Sequence, residues 1–168
     1  TLPAIGWKNT ILFWRTLEGH WRRLAECQGA CFTAHKQRAF VVDGSRIISA
    51  EASRAGFVKE LRIKRELRPT EHPVLIGDRL FVMAQVDGND RPAFVTIDAV
   101  RGTIEGEEPM GGGVSEVPAS DGQYRVLNVQ QATTSLIMVF DKNGRPLSRF
   151  ETPCAISDGR PGFAANRG

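Results

Sequence analysis

Residues 73–106, PVLIGDRLFVMAQVDGNDRPAFVTIDAVRGTIEG, limit the possible folds more than any other stretch, because they read as short strands joined by tight turns. Positions 80–86 are apolar and rich in branched and aromatic side chains, Asp87-Gly88-Asn89-Asp90 is turn chemistry, and 94–97 is a second apolar run. That pattern predicts a hairpin. Asp98 and Gly102 then mark another turn, with glycine where φ must be positive, and Thr103-Ile104-Glu105 resumes an extended pattern. The stretch is expected to be a small antiparallel meander.

The same order of residues recurs along the chain. Leu12-Phe13, Glu18-Gly19, Leu24, Glu26 and Gly29 follow the sequence of Leu80-Phe81, Asp87-Gly88, Val95, Asp98 and Gly102. Residues 39–44 with Arg46-Ile47-Ile48, Glu51 and Gly56 repeat it, as do 124–129 with 135–140, Asp141 and Gly144. Openings built around Pro3, Pro73, Pro118 and Pro153 rhyme as well. The spacing gives a period of roughly 35 to 45 residues, in or near the range of propeller blades. The expected fold is all-β, a single domain of about four antiparallel meander units over residues 3–33, 34–72, 73–117 and 118–152. A partial unit over 153–168 would either complete a ring with the N-terminal opening or belong to a longer array.

With a strand ending in an acidic residue followed by a glycine turn, the chain resembles β-propellers with loosely patterned blades, the quinoprotein-like and NHL-like repeats. The resemblance covers nearly the whole chain and implies a small or partial β-propeller. It carries no full WD signature, and Gly19-His20 is an isolated pair. Propellers that act on ligands do so at a channel mouth, with one residue drawn from each of several blades.

In residues 57–68, Phe57, Leu61, Ile63 and Leu67 alternate with Glu60, Arg62, Lys64, Glu66 and Arg68, which is the period of a half-buried strand with a charged outer face. Over the whole chain the 22 basic and 19 acidic residues are interspersed, so a nucleic-acid partner is not expected. No window approaches the ~18 uncharged apolar residues of a spanning helix. Residues 10–28 admit a helix through Trp14, Leu17, Trp21 and Leu24, but the repeat and Gly19 favour a hairpin there. Trp7, Trp14 and Trp21 are expected to pack in the interior, with a sugar-stacking platform as the rival. Residues 107–113, EEPMGGG, are expected to form a surface loop, having neither the GxGxxG order nor a following Lys-Ser or Lys-Thr for phosphate.

The candidate chemistry is sparse. Cys27, Cys31 and His35 are spaced by four, and with His20 they offer a Cys2His2-type zinc set that only a helix would align. In a meander they scatter, and no stoichiometric zinc is expected. Glu51, Asp98 and Asp141 occupy equivalent unit positions and either converge on a channel mouth to hold a cation or cap the turns after their strands, the second being favoured. No GxSxG, HExxH or Ser-x-x-Lys motif is present, and no cofactor is expected. Three cysteines, an odd number, argue for a reducing compartment. The expected function is a non-enzymatic scaffold that binds other protein chains in an assembly. The alternatives are a lactonase-like or quinoprotein-like ligand site at a channel mouth, or a carbohydrate-binding module.

Overall fold

The computed structural model describes residues 4–8, 11–15, 19–26, 32–35, 38–51, 57–110, 112–118, 123–131 and 133–153. Their secondary structure is antiparallel β throughout. Strands β1 (Ala4–Lys8), β2 (Ile11–Arg15) and β3 (Trp21–Glu26) form a three-stranded sheet in that order. Arg15 pairs with Trp21, so the described part of the 10–28 stretch is two antiparallel strands and not a helix. The glycine signal is real, because Gly19 has φ 91°.

The central sheet contains β4 (Phe32–His35), β5 (Arg38–Glu51), β6 (Phe57–Pro69), β7 (Val74–Ile76), β8 (Arg79–Val86), β9 (Ala93–Asp98) and β10 (Thr103–Pro109). Although β5 is one continuous extended segment, it cannot be straight. Val42 and Ile47 enter the same core, whereas an odd separation along a straight strand would put them on opposite faces. Arg38 and Glu51 line one cavity of about 140 Å³, yet thirteen steps of straight strand span roughly 43 Å. The chain therefore doubles back at Asp43-Gly44-Ser45-Arg46, where Gly44 has φ 58° and Arg46 pairs with Asp43. Glycine at that first corner is the requirement of a two-residue hairpin turn.

A four-stranded sheet closes the described chain: β11 (Val114–Pro118), β12 (Tyr124–Gln130), β13 (Ser135–Asp141) and β14 (Pro146–Thr152), each paired with the next. Residues 107–109, expected in a loop, instead lie in β10. Their charges find partners on other strands: Glu107 pairs with Arg65 of β6 and Glu108 with Arg149 of β14. That pairing offsets the poor strand preference of a Glu-Glu-Pro sequence.

The hairpin of β8 and β9 sits between two cores and is buried on both faces. One face sets Leu80, Val82, Val95 and Ile97 against Phe40, Ile47, Ile63 and Leu67. The other sets Phe81, Met83 and Phe94 against Leu127, Leu136 and Phe140. Full burial of such side chains is worth about 1.5 to 3 kcal/mol each. Phe40, Phe81, Phe94 and Phe140 are all buried, as their strands lead one to expect. In β6, Ile63 and Leu67 point inward while Arg62, Lys64, Glu66 and Arg68 face solvent, which is the alternation read from the sequence. No helix among the described residues is long and apolar enough to cross a membrane.

Residues 154–168, expected to open a further unit, lie outside the described residues.

Candidate functional site

Two turn-bearing ends and one outer strand hold the side chains of interest. At the first end, Asp98 closes β9 and folds its carboxylate back on its own turn: Oδ1 accepts the N–H groups of Val100 at 2.8 Å and Arg101 at 2.9 Å. The Asp98 carbonyl accepts the Gly102 N–H at 2.8 Å. Asp141 does the same after β13, with Oδ1 accepting from Asn143 at 2.8 Å and Arg145 at 2.9 Å. The turn N–H of Arg101 above all holds the Asp98 carboxyl below the usual range, and that of Arg145 does so for Asp141. Both aspartates are turn caps.

Beside them, Arg38 reaches Asp78 at 2.8 Å, and the Lys59 ammonium donates to the Val100 carbonyl at 3.1 Å. Glu51 ends β5 next to Arg38 and Lys59 around the small cavity described above. At the same end the turn holding Gly77 meets the turn holding Gly144, backbone against backbone. A Cβ on Gly77 would lie 2.9 Å from the Asn143 carbonyl oxygen, and one on Gly144 would lie 2.6 Å from the Gly77 Cα. Successive sheets touch here without a side chain between them.

At the opposite end, Asp87 has φ 50° and begins an Asp-Gly turn closed by the Asn89 N–H donating to the Val86 carbonyl at 3.0 Å. Its carboxylate accepts the Glu66 N–H at 2.8 Å and pairs with Arg65, so the β8–β9 turn is tied to β6. Those contacts, the Glu66 N–H first, lower the Asp87 pKa. Near this end is an open cleft of about 720 Å³ lined by Glu71, Met110, Gly112, Gln130 and Gln131. Glu71 is fixed there by the Val114 N–H at 2.8 Å. One carboxylate and two amides beside Met110 can hydrogen-bond a polar ligand.

The outer strand is β14, the last in its sheet, with all of its residues exposed except a half-buried Thr152. Leu147 is 54% exposed and Phe150 48%, and Tyr124 on β12 is 46% exposed. Arg149, itself half exposed, grips Glu108 bidentately, at 2.8 and 2.6 Å, tying β14 to β10 of the central sheet.

Of the zinc set, His20 is exposed beside β3 and His35 is the last residue of β4, while Cys27 and Cys31 lie outside the described residues. Among the described residues no group of three His, Cys, Asp or Glu is placed to hold a metal ion. Asp98 and Asp141 each serve their own turn, as the capping expectation requires. Trp21, expected in the interior, is 54% exposed at the start of β3, an outer strand of its sheet. Trp7 and Trp14 have side chains outside the described ones. Sequence reasoning missed the exposed pair Leu147 and Phe150. Its one available signal is that the two lie three positions apart, out of step with an alternating strand.

A pH prediction follows from the caps. Since the folded pKa values of Asp87, Asp98 and Asp141 lie below their ordinary value, the stability they confer is fully present above about pH 4. It is lost as the pH falls through the folded values. Melting temperature is expected to drop steadily below pH 4, and Asp98→Asn with Asp141→Asn to flatten that drop while lowering the melting temperature at pH 6. Calorimetry from pH 6 to pH 2 checks it; equal slopes for both proteins would count against the caps.

No protein-family model matches the chain, and no curated protein matches it.

Proposed function

We propose that this chain is a β-repeat module of the propeller type that works by holding other protein chains in an assembly. The architectural part is supported by three successive antiparallel meanders: β4 with the doubled β5 and β6, then β7 to β10, these two joined into the central sheet where the end of β6 pairs with β8, then β11 to β14. Their stacking through two cores is the way propeller blades bury both faces. The observation that carries the interaction part is the apolar exposure of the last sheet, where Leu147, Phe150 and Tyr124 are each about half open to solvent. Large exposed apolar side chains grouped on one sheet mark protein contact surfaces.

The test is capture from an extract of the source organism on immobilised chain, compared with Leu147→Asp/Phe150→Asp. A defined set of proteins is expected on the wild type and absent from the variant, whose circular dichroism is unchanged. Identical sets on both, or none on either, would remove this reading.

One observation favours a ligand site instead, the cleft at Glu71, Gln130 and Gln131. A melting-temperature rise with oligosaccharides or polar metabolites, abolished by Glu71→Ala, would move the assignment there.

A further inference from the structure

Strand β14 offers more than apolar side chains. As the last strand of its sheet it has one edge without a paired strand among the described residues, and nearly every residue along it is exposed. An open edge presents a row of N–H and C=O groups to any second extended chain. Pro146 has no N–H to give, so a pairing partner is confined to the stretch that begins at Leu147.

We infer that the occupant of this edge is β14 of a second copy of the chain, laid antiparallel about a two-fold axis normal to the sheet. Such an axis sets one residue against its own counterpart and every other residue against its mirror position. Centred on Phe150, the pairing puts Arg149 opposite Glu151 of the other copy twice over, and the two Phe150 rings side by side. Centring on Arg149 or on Glu151 sets like charges face to face, and centring on Ser148 sets Leu147 against Arg149. Of these four registers, the one centred on Phe150 sets unlike charges opposite each other.

The faces agree. Phe150 pairs with Ile137 of β13 and Arg149 with Met138, so ring and guanidinium lie on opposite faces. Arg149 and Glu151 share the face on which Glu108 already holds Arg149, and the new carboxylate extends that ion pair into a network. The two four-stranded sheets become one of eight strands, and the two half-exposed Phe150 rings cover each other.

This inference rests on the reading of β14 as a contact surface, and sedimentation of the purified chain tests it. The wild type is expected to approach twice its monomer mass as concentration rises. Phe150→Asp is expected to raise the dissociation constant by roughly 30-fold or more, the effect of losing a central anchor. R149E and E151R are each expected to be monomeric, because each opposes like charges across the axis. Their equimolar mixture is expected to form a heterodimer, since the carboxylate introduced in one chain then meets the guanidinium introduced in the other, and the native Glu151 of the first meets the native Arg149 of the second. E151R leaves the Arg149–Glu108 pair intact, so its folding is not at issue.

A wild type that stays monomeric up to roughly 1 mM overturns the inference. So does dimerisation of either charge variant alone, a mixture that stays monomeric while both chains are folded, or a Phe150→Asp that dimerises like the wild type. If the wild type is monomeric yet captures extract proteins in a Phe150-dependent way, self-pairing falls and the docking reading stands. If that capture is absent as well, both fall.

Discussion

Phe81→Ala is expected to destabilise the fold by about 3 to 5 kcal/mol, the range for deleting a fully buried aromatic ring. Phe81 is 1% exposed and sits where the central sheet meets the last one. Its ring stacks on Phe94 at 5.9 Å between centroids, with 13° between planes, and leans on Phe140 at 5.3 Å with a 55° tilt. Pairs of this kind are worth about 0.5 to 1.5 kcal/mol beyond their buried area. Removing the ring takes away both pairs at once and leaves a void between backbones that hydrogen-bonded strands cannot close. Urea unfolding followed by fluorescence and by circular dichroism measures the loss. A change below about 1 kcal/mol would mean that the last sheet does not pack on this ring.

Gly144→Ala is expected to cost about 3 kcal/mol, by a different mechanism. At φ 84° an L-residue is strained by about 1 to 2 kcal/mol. The added methyl would in addition sit 2.6 Å from the Cα and 2.8 Å from the N of Gly77, both main-chain atoms that no rotamer change can move aside. Overpacking of this kind adds about 1 to 3 kcal/mol. Gly88→Ala is the control, because Gly88 has φ 76° but nothing within 4 Å of its would-be Cβ. The difference between the two variants in the same unfolding assay isolates the contact. Equal losses would show that the turns at Gly77 and Gly144 do not touch in solution.

Much of the fold could be read from local residues. The β8–β9 hairpin was legible because two apolar runs flank an Asp-Gly turn, and Asp87 adopts the positive φ that such a turn demands. β6 was legible from its alternation, and the β2–β3 hairpin from Gly19. The end of β10 was not, since Glu107 and Glu108 are held by Arg65 and Arg149, which lie 42 and 41 positions away. No local pattern encodes a partner that remote. Trp21 failed for a related reason: whether an aromatic ring is buried depends on what packs over its face of the sheet, which residues adjacent in sequence do not encode, and the ring is 54% exposed. Of the candidate site, the Asp98 and Asp141 caps were visible in the aspartate-to-glycine spacing. The exposure of Leu147 and Phe150 was hidden, because an edge strand and a central strand can carry the same residues.

The double burial of β8 and β9 reverses an impression that the sequence creates. Residues 73–106 look the most self-sufficient, with the clearest turns and the strongest apolar runs, yet the structure gives their hairpin no face that is meant for water. Cut out as a peptide, it would carry Leu80 and Val82 on one side and Phe81 and Met83 on the other, a two-sided adhesive and not a miniature domain. During synthesis this stretch emerges before the sheet that covers its second face, so Phe81, Met83 and Phe94 must wait uncovered until β12 and β13 arrive. The segment easiest to recognise is the one most dependent on its neighbours.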